Sequence, residues 1–284
     1  MPGTLYICAT PIGNLEDITL RALRILKEVD VIVAEDSRRT RQLLAHYGIT
    51  TPLAASLYQG VEQARVDGVL ALLENGRNVA LVSDAGTPLV SDPGFPLVRA
   101  CIHAGIPVVP VPGPSAVLAS LVASGLPPDR FLFAGYPPRR PGEKKRWLRE
   151  ILAIPATVIF FESPQRLLST LKIVAELDPA RPTVVARELT KIHEEFVRGE
   201  AQTVYENLRA RERVRGECVV LLGPATKAEK TADPQEINAL YAELLGQGFS
   251  PREARKEVAR RTGYSRREVY QIVLRRGEKD KEGP

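Results

Sequence analysis

The chain has 284 residues, of which 44% are apolar and 26% charged, and 39 Lys and Arg against 34 Asp and Glu leave a formal charge of +5. That length holds two ordinary domains or one large one, and that balance excludes both a disordered chain and a membrane-embedded one. The apolar runs are strand-sized, and residues 1–13 lack the basic flank and long apolar core of a signal peptide, so no membrane association and a cytoplasmic location are expected.

Residues 5–10 read as a strand ending in the rigid loop Thr10-Pro11-Ile12-Gly13-Asn14, and the apolar spacing over 18–29 predicts a helix. Residues 30–34 form a second buried strand that opens into Glu35-Asp36-Ser37-Arg38-Arg39-Thr40, where Asp36 or Ser37 can cap the next helix. A helix over 61–73 precedes the all-apolar strand 79–82, which breaks into Ser83-Asp84-Ala85-Gly86-Thr87-Pro88. The loop reads either as a pocket wall or as an ordinary connection in which Asp92-Pro93 caps a helix over 94–103, and strand 107–111 then ends in Pro112-Gly113-Pro114-Ser115-Ala116 before a helix to 123. Repeated strand-loop-helix units predict a mostly parallel sheet with right-handed crossovers.

The proline-rich stretches 126–129 and 136–142 bracket a short strand, 131–134, and read as an interdomain connection. Beyond it come a strand at 157–161, a helix opened by Ser163-Pro164, strands at 183–188 and 193–198, a helix over 201–213 and a strand at 217–222. No helix fits between 188 and 193, so antiparallel pairing and an α+β domain are expected. Capping boxes follow at Asp233/Glu236, Ser250/Glu253 and Ser265/Glu268, with Gly248 and Gly263 where left-handed helix ends belong. Three short helices result, the last two resembling a helix-turn-helix. Nine basic against three acidic residues over 250–276 place the positive charge in this module and point to nucleic acid. The expected division is an N-terminal α/β domain over 1–126, a second α/β domain over 127–224, and a basic helical module over 233–277.

Cys8, Cys101 and Cys218 lie far apart in apolar runs and read as buried thiols. His46, His103 and His193 have no metal-ligand spacing, so no metal is expected. The three loops at 10–14, 83–92 and 111–116 leave one edge of one sheet and should converge on a cleft. The dinucleotide fingerprint and the P-loop are both missing, which disfavours a Rossmann dehydrogenase and a nucleoside triphosphatase. Asp84 can accept hydrogen bonds, and Gly86 lets a ligand approach the backbone.

The segments ATPIGNLEDITLRAL, EDSRRTRQLL, SDAGTPLVSDPG, VPGPSA, FFESPQRL and ARELTKIHEEFVRG, in this order over about residues 5–223, resemble the tetrapyrrole methylase superfamily. Within it they resemble the branch that methylates small-subunit ribosomal RNA. The resemblance implies a two-domain tetrapyrrole-methylase-like fold, S-adenosylmethionine in a cleft between the domains, a homodimer, and 2′-O-methylation of a cytidine ribose in 16S ribosomal RNA. Carried over by position, the donor lies against Pro11, Asp84, Gly86, Thr87, Ser115 and Ala116, with Phe161, Leu189 and Glu217 added by the second domain. Tetrapyrrole-modifying members have a GDP-type turn where this chain has Asp84-Ala85-Gly86-Thr87; that departure and the basic tail argue against a porphyrin-like substrate.

Methyl transfer from a sulfonium is an in-line displacement that needs no metal, but a ribose hydroxyl needs a proton acceptor. Asp36, Glu162, Glu188 and Lys191 are the candidates, each equally readable as a cap or salt-bridge partner. Arg38, Arg39, Arg139, Arg140, Lys144, Lys145 and Arg187 are candidates for RNA phosphates around the cleft, and Arg266 and Arg267 in the tail, while Trp147 reads as core. Two other functions fit the same residues: a methyltransferase acting on a tetrapyrrole or other small molecule, and a ligand-sensing nucleic-acid-binding protein without turnover.

Overall fold

All four residues of β3 (Val79–Val82) are buried, so this strand has no solvent face and must be covered on both sides. In the computed structural model, which describes residues 1–54, 62–225, 233–264 and 266–279, β3 sits between β1 (Leu5–Cys8) and β2 (Val31–Ala34). β4 (Val108–Val111) pairs with the far side of β1, and all three pairings are parallel. Parallel neighbours need crossovers, which α1 (Leu20–Glu28), α2 (Ser37–His46), α3 (Glu62–Glu74) and α4 (Phe95–His103) supply.

Alternation along the strands divides the cover between two faces. Ala80 and Val82 pack with Ile25 and Leu26 of α1 and Leu44 of α2, whereas Val79 and Leu81 pack with Leu73 of α3 and with Leu97 and Cys101 of α4. Each fully buried leucine contributes about 1.5–3 kcal/mol. β1 stops at Cys8, two residues short of the expected strand, because Thr10 exchanges backbone hydrogen bonds with Gly86, at 2.9 Å in both directions. The expected Asp92-Pro93 cap does not form. α4 starts at Phe95 behind Gly94, whose φ of 121° favours glycine and where a Cβ would lie 2.8 Å from Leu81 Cδ2.

The second sheet has the order β5 (Phe131–Phe133), β6 (Thr157–Glu162), β9 (Cys218–Leu222), β7 (Pro182–Arg187), β8 (Glu195–Glu200). β5 is parallel to β6 and the other pairings are antiparallel, so the sheet is mixed. β8 begins at Glu195 rather than 193, because the chain reverses through Glu188 and Thr190 at positive φ. α6 (Pro141–Leu152), α7 (Pro164–Leu177) and α8 (Ala201–Arg209) cover one face through Leu148, Leu167, Leu171 and Leu208. α8 ends at Arg209, four residues before the expected 213.

α5 (Ala116–Ser124) precedes residue 126 yet packs on the second sheet, with Val117 and Leu121 against Ile159, Val184 and Leu221. Core contacts therefore cross the 126/127 division, and Met1–Pro224 forms one compact unit.

The remaining unit, Ala225–Pro284, holds α9 (Pro234–Gly246), α10 (Pro251–Thr262) and α11 (Arg266–Lys279). The capping boxes at Asp233/Glu236 and Ser250/Glu253 are both formed, and Gly248 and Gly263 are left-handed. Ser265 of the third box lies outside the described residues. Ile237, Leu244, Ala254, Val258 and Val269 make a small core of their own. No helix among the described residues is long and apolar enough to cross a membrane.

Candidate active site

The loops after β1, β3 and β4 are stitched together at the C-terminal edge of the parallel sheet. Besides the Thr10–Gly86 pair, Thr10 Oγ1 donates to the Ser83 carbonyl at 3.0 Å, and Thr87 Oγ1 donates to the Pro114 carbonyl at 3.2 Å. Gly86 has φ 84°, and a Cβ there would meet Ile12 Cγ2 at 3.4 Å, so glycine keeps this wall flat. Asp84 Oδ1 accepts the backbone N–H of Asp36 at 3.0 Å, and Arg39 lies 3.5 Å from Oδ2.

These loops and the second sheet enclose a cavity of about 410 Å³. Of the nine residues expected against a donor, Asp84, Gly86, Thr87, Ser115, Ala116, Phe161 and Glu217 line it. Pro11 lines an adjoining depression with Lys191 and Glu217. Leu189 is not on the wall: it is buried in the joint core with Ile12, Val184 and Val219.

The cavity also brings in residues that were not among the donor-binding or proton-accepting candidates. Asp92 lines it, and its carboxyl is pushed up to about 6, first by burial and then by the charge of Glu35, with a Ser83 hydrogen bond drawing it partly back. Glu35 is raised as well, by burial and by Asp84. Tyr136, edge-on to Phe161 at 5.5 Å, forms part of the second-sheet wall.

The expected proton acceptors are engaged elsewhere. Asp36 caps α2, accepts the Arg38 N–H at 2.8 Å, and is held below the usual carboxylate range by those bonds. Glu162 borders the cavity, but its carboxylate is 0% exposed and accepts Thr170 Oγ1 at 2.6 Å and the Ser163 N–H at 2.9 Å. Glu188 accepts Lys191 Nζ at 2.9 Å and the Glu217 N–H at 3.0 Å, which lower its carboxyl. Burial works against the charge of Lys191, but its bonds to Glu188 and Glu217 outweigh it.

Among the cations, Arg39 lines the cavity, while Arg38, Arg139 and Arg140 are exposed, Arg140 pairing with Glu143 at 3.2 Å and Lys145 with Glu176 at 3.7 Å. Lys144 corrects the expectation. Its side chain is only 5% exposed and its Nζ donates to Thr170 Oγ1 at 2.9 Å beside Glu162, so it faces no solvent from which RNA could approach. Trp147 packs edge-on against Phe160 at 5.4 Å, as core. Arg266 and Arg267 are exposed on α11.

Comparison with known proteins is decisive. A family profile described as "Tetrapyrrole (Corrin/Porphyrin) Methylases" matches residues 4–205, and a profile described as "RsmI C-terminal HTH domain" matches residues 231–277. The chain belongs to the tetrapyrrole methylase family. Two relatives, both called "Ribosomal RNA small subunit methyltransferase I", come from Mesorhizobium japonicum (44% identical, covering 95% of this chain and 91% of the relative) and Hydrogenobaculum (46%, covering 85% and 99%). A third protein of that name, from Escherichia coli O157:H7, is 44% identical over 96% of this chain and 95% of its own length.

Among solved structures, the methyltransferase CobJ superposes with a TM-score of 0.58 at 25% identity, covering 82% of this chain and 98% of that one. Uroporphyrin-III C-methyltransferase from Thermus thermophilus, complexed with S-adenosylhomocysteine, gives 0.56 at 24%, covering 79% and 99%. The family's two-sheet architecture is thus the one seen here. Neither the small-molecule reading nor the sensor reading is favoured by the near-full-length relatives.

Proposed function

We propose that this chain is a small-subunit ribosomal RNA methyltransferase that transfers the methyl group of S-adenosylmethionine to the 2′-hydroxyl of a cytidine ribose in 16S RNA. The observation that carries the reading is the combination of a loop-lined cavity at the sheet edge with relatives of that name along nearly the whole chain.

The residues present fit the donor. A cavity of about 410 Å³ is in the range of small-molecule sites. Gly86 holds backbone rather than side chain against it, and the start of α5 at Ser115, Ala116 and Val117 offers the unpaired N–H groups of a helix N-terminus, which suit a carboxylate. Bound there, the donor would supply a sulfonium methyl carbon open to in-line attack by an oxygen, the C–O bond forming as the C–S bond breaks and the neutral thioether leaving. Phe161, Tyr136 and Ile12 would keep water from the cavity, and Asp84, fixed by the Asp36 N–H, would accept a hydrogen bond from the donor. Asp92 is the carboxyl group best suited to take the hydroxyl proton, since it lines the cavity and titrates near 6.

Arg39 at the cavity and Arg266 and Arg267 on α11 would meet RNA phosphates, in line with a basic tail. The protein would act in the cytoplasm as a homodimer. Leu118 and Val122, one turn apart on α5 and 52% and 79% exposed, would give a second copy an apolar surface. Incubation with labelled donor and unmethylated small subunits, followed by nucleoside analysis, tests the reading: it predicts 2′-O-methylcytidine.

A further inference from the structure

Beside the cavity mouth lies a depression of about 440 Å³ whose wall includes Arg187, Arg211, Arg213 and Arg215, together with His193 and Glu188. Two of these arginines are locked. Glu195 Oε2 accepts Arg187 Nε and Nη2 at 3.1 Å each and Arg211 Nη1 at 2.7 Å, while Oε1 accepts Arg211 Nη2 at 2.7 Å. Arg187 Nη1 also donates to the Arg215 carbonyl at 3.1 Å. The bonds from Arg211, ahead of those from Arg187, hold the Glu195 carboxyl down to about 2, so this frame stays charged at any ordinary pH.

The other two arginines, Arg213 and Arg215, are exposed and form no ion pair with a described residue. They also line a second groove with Pro164 and Gly216, and those same two residues line the 410 Å³ cavity. The basic wall therefore runs continuously to the mouth of the site. With Glu195, Glu212 of that groove, and Lys191 with its two partners Glu188 and Glu217 all counted, five cations face four carboxylates.

The cavity has the opposite balance, since Glu35, Asp84, Asp92 and Glu217 line it against Arg39, with Glu162 a further lining carboxylate paired behind the wall by Lys144 and Arg166. A ribose presented by an RNA strand carries a phosphodiester on each side, and those charges are disfavoured inside such a cavity. They need cationic ground immediately outside it. Arg187 and Arg211 spend their paired donors on Glu195 and supply a fixed frame, while the exposed Arg213 and Arg215 beside them are the guanidinium groups suited to bidentate phosphate contacts.

We propose that the depression walled by Arg187, Arg211, Arg213 and Arg215 holds the backbone phosphates next to the acceptor nucleotide and so orients the strand at the cavity mouth. The proposal rests on the RNA reading above and adds a phosphate site outside the basic tail.

The test uses the full chain and a single-stranded oligoribonucleotide, with affinity measured across a salt series. Arg213→Ala/Arg215→Ala should lower affinity roughly tenfold and reduce the slope of log K on log salt by about 1.4, the value for two contacts to a single strand. Arg213→Lys/Arg215→Lys should keep the slope, and donor binding by calorimetry should be unchanged in both variants. Unchanged affinity and slope in the alanine variant would overturn the proposal. So would loss of inorganic pyrophosphate binding with RNA binding intact, which would assign the depression to a free phosphate ligand. A parent chain that binds RNA but transfers no methyl group would refute the functional reading, while the slope comparison would still decide this site.

Discussion

The Asp84 carboxylate accepts the backbone N–H of Asp36 at 3.0 Å and so ties the loop after β3 to the start of α2. One oxygen thereby fixes two walls of the cavity, and Arg39 approaches the other at 3.5 Å. Replacing Asp84 by Ala removes the acceptor, leaves the Asp36 N–H unpaired, and should weaken donor binding about tenfold, which corresponds to about 1.4 kcal/mol. Asp84→Asn keeps the acceptor and loses only the charge, so its donor affinity should stay within about threefold of the parent. Calorimetric titration of both variants checks this, and equal losses would assign the effect to charge rather than to loop geometry.

Asp92 links stability to pH in a direction opposite to that of most carboxylates. Its folded-state value of about 6 lies above the ordinary 3.8, so the folded protein favours the neutral acid. The stabilising contribution is full below about pH 4 and is lost as pH rises through about 6. Asp92→Asn should therefore raise the Tm at pH 8 and leave it nearly unchanged at pH 4. Under the proposed chemistry the same variant should lose methyl transfer at all pH values while still binding donor, and the parent rate should fall on the acid side of about pH 6. A variant with parental turnover would remove Asp92 from the proton transfer.

Lys144 and Glu162 form a buried pair 3.8 Å apart, bridged by Thr170, and Arg166 reinforces it at 3.3 Å from the other carboxylate oxygen. Arg166 also donates to the carbonyls of Pro137 and Pro138, so this cluster anchors the segment that follows Tyr136. Lys144→Met should destabilise the protein by about 1–3 kcal/mol, since it leaves the buried Glu162 carboxylate with Arg166 as its one remaining cation, and should leave RNA affinity at the parental value. Adding Glu162→Gln should recover part of the loss. Urea unfolding and RNA titration of the two variants provide the check.

Gly216 joins the basic wall to the cavity rim. Its φ is 85°, and a Cβ would lie 2.3 Å from the Glu188 carboxyl, which Lys191 and the Glu217 N–H hold in place. Gly216→Ala should cost roughly 1–3 kcal/mol in stability and displace Glu188. It should also lower kcat/KM by more than it lowers donor affinity. Equal and small effects on both would show that the rim tolerates the side chain.

The parallel sheet was readable because its strands are short apolar runs, three of them broken by proline or glycine and β2 by the charged Glu35-Asp36. The convergence of three loops followed from strand direction alone. Asp92 had two readings, a helix cap and the end of a loop at the cleft; Asp-Pro before an apolar stretch is a local capping signature, but Gly94 at φ 121° holds the N-cap position and Asp92 lies on the cavity wall. The repeated Ser-Asp at 83–84 and 91–92 was the available signal for it. Lys144 and Glu162 lie on different elements, so nothing local shows that their charges cancel in the interior. Leu189 sits between residues of the site in sequence, but its apolar side chain goes to the joint core, a choice made by packing of α5 on the second sheet.

The measurement that bears most directly on the central claim is transfer of radiolabelled methyl from S-adenosylmethionine to small ribosomal subunits from cells lacking the enzyme, with a tetrapyrrole as parallel acceptor. The account predicts label in a cytidine ribose of the subunit RNA and none in the tetrapyrrole. Label confined to the tetrapyrrole, or donor binding with no transfer to the subunit RNA, would contradict it.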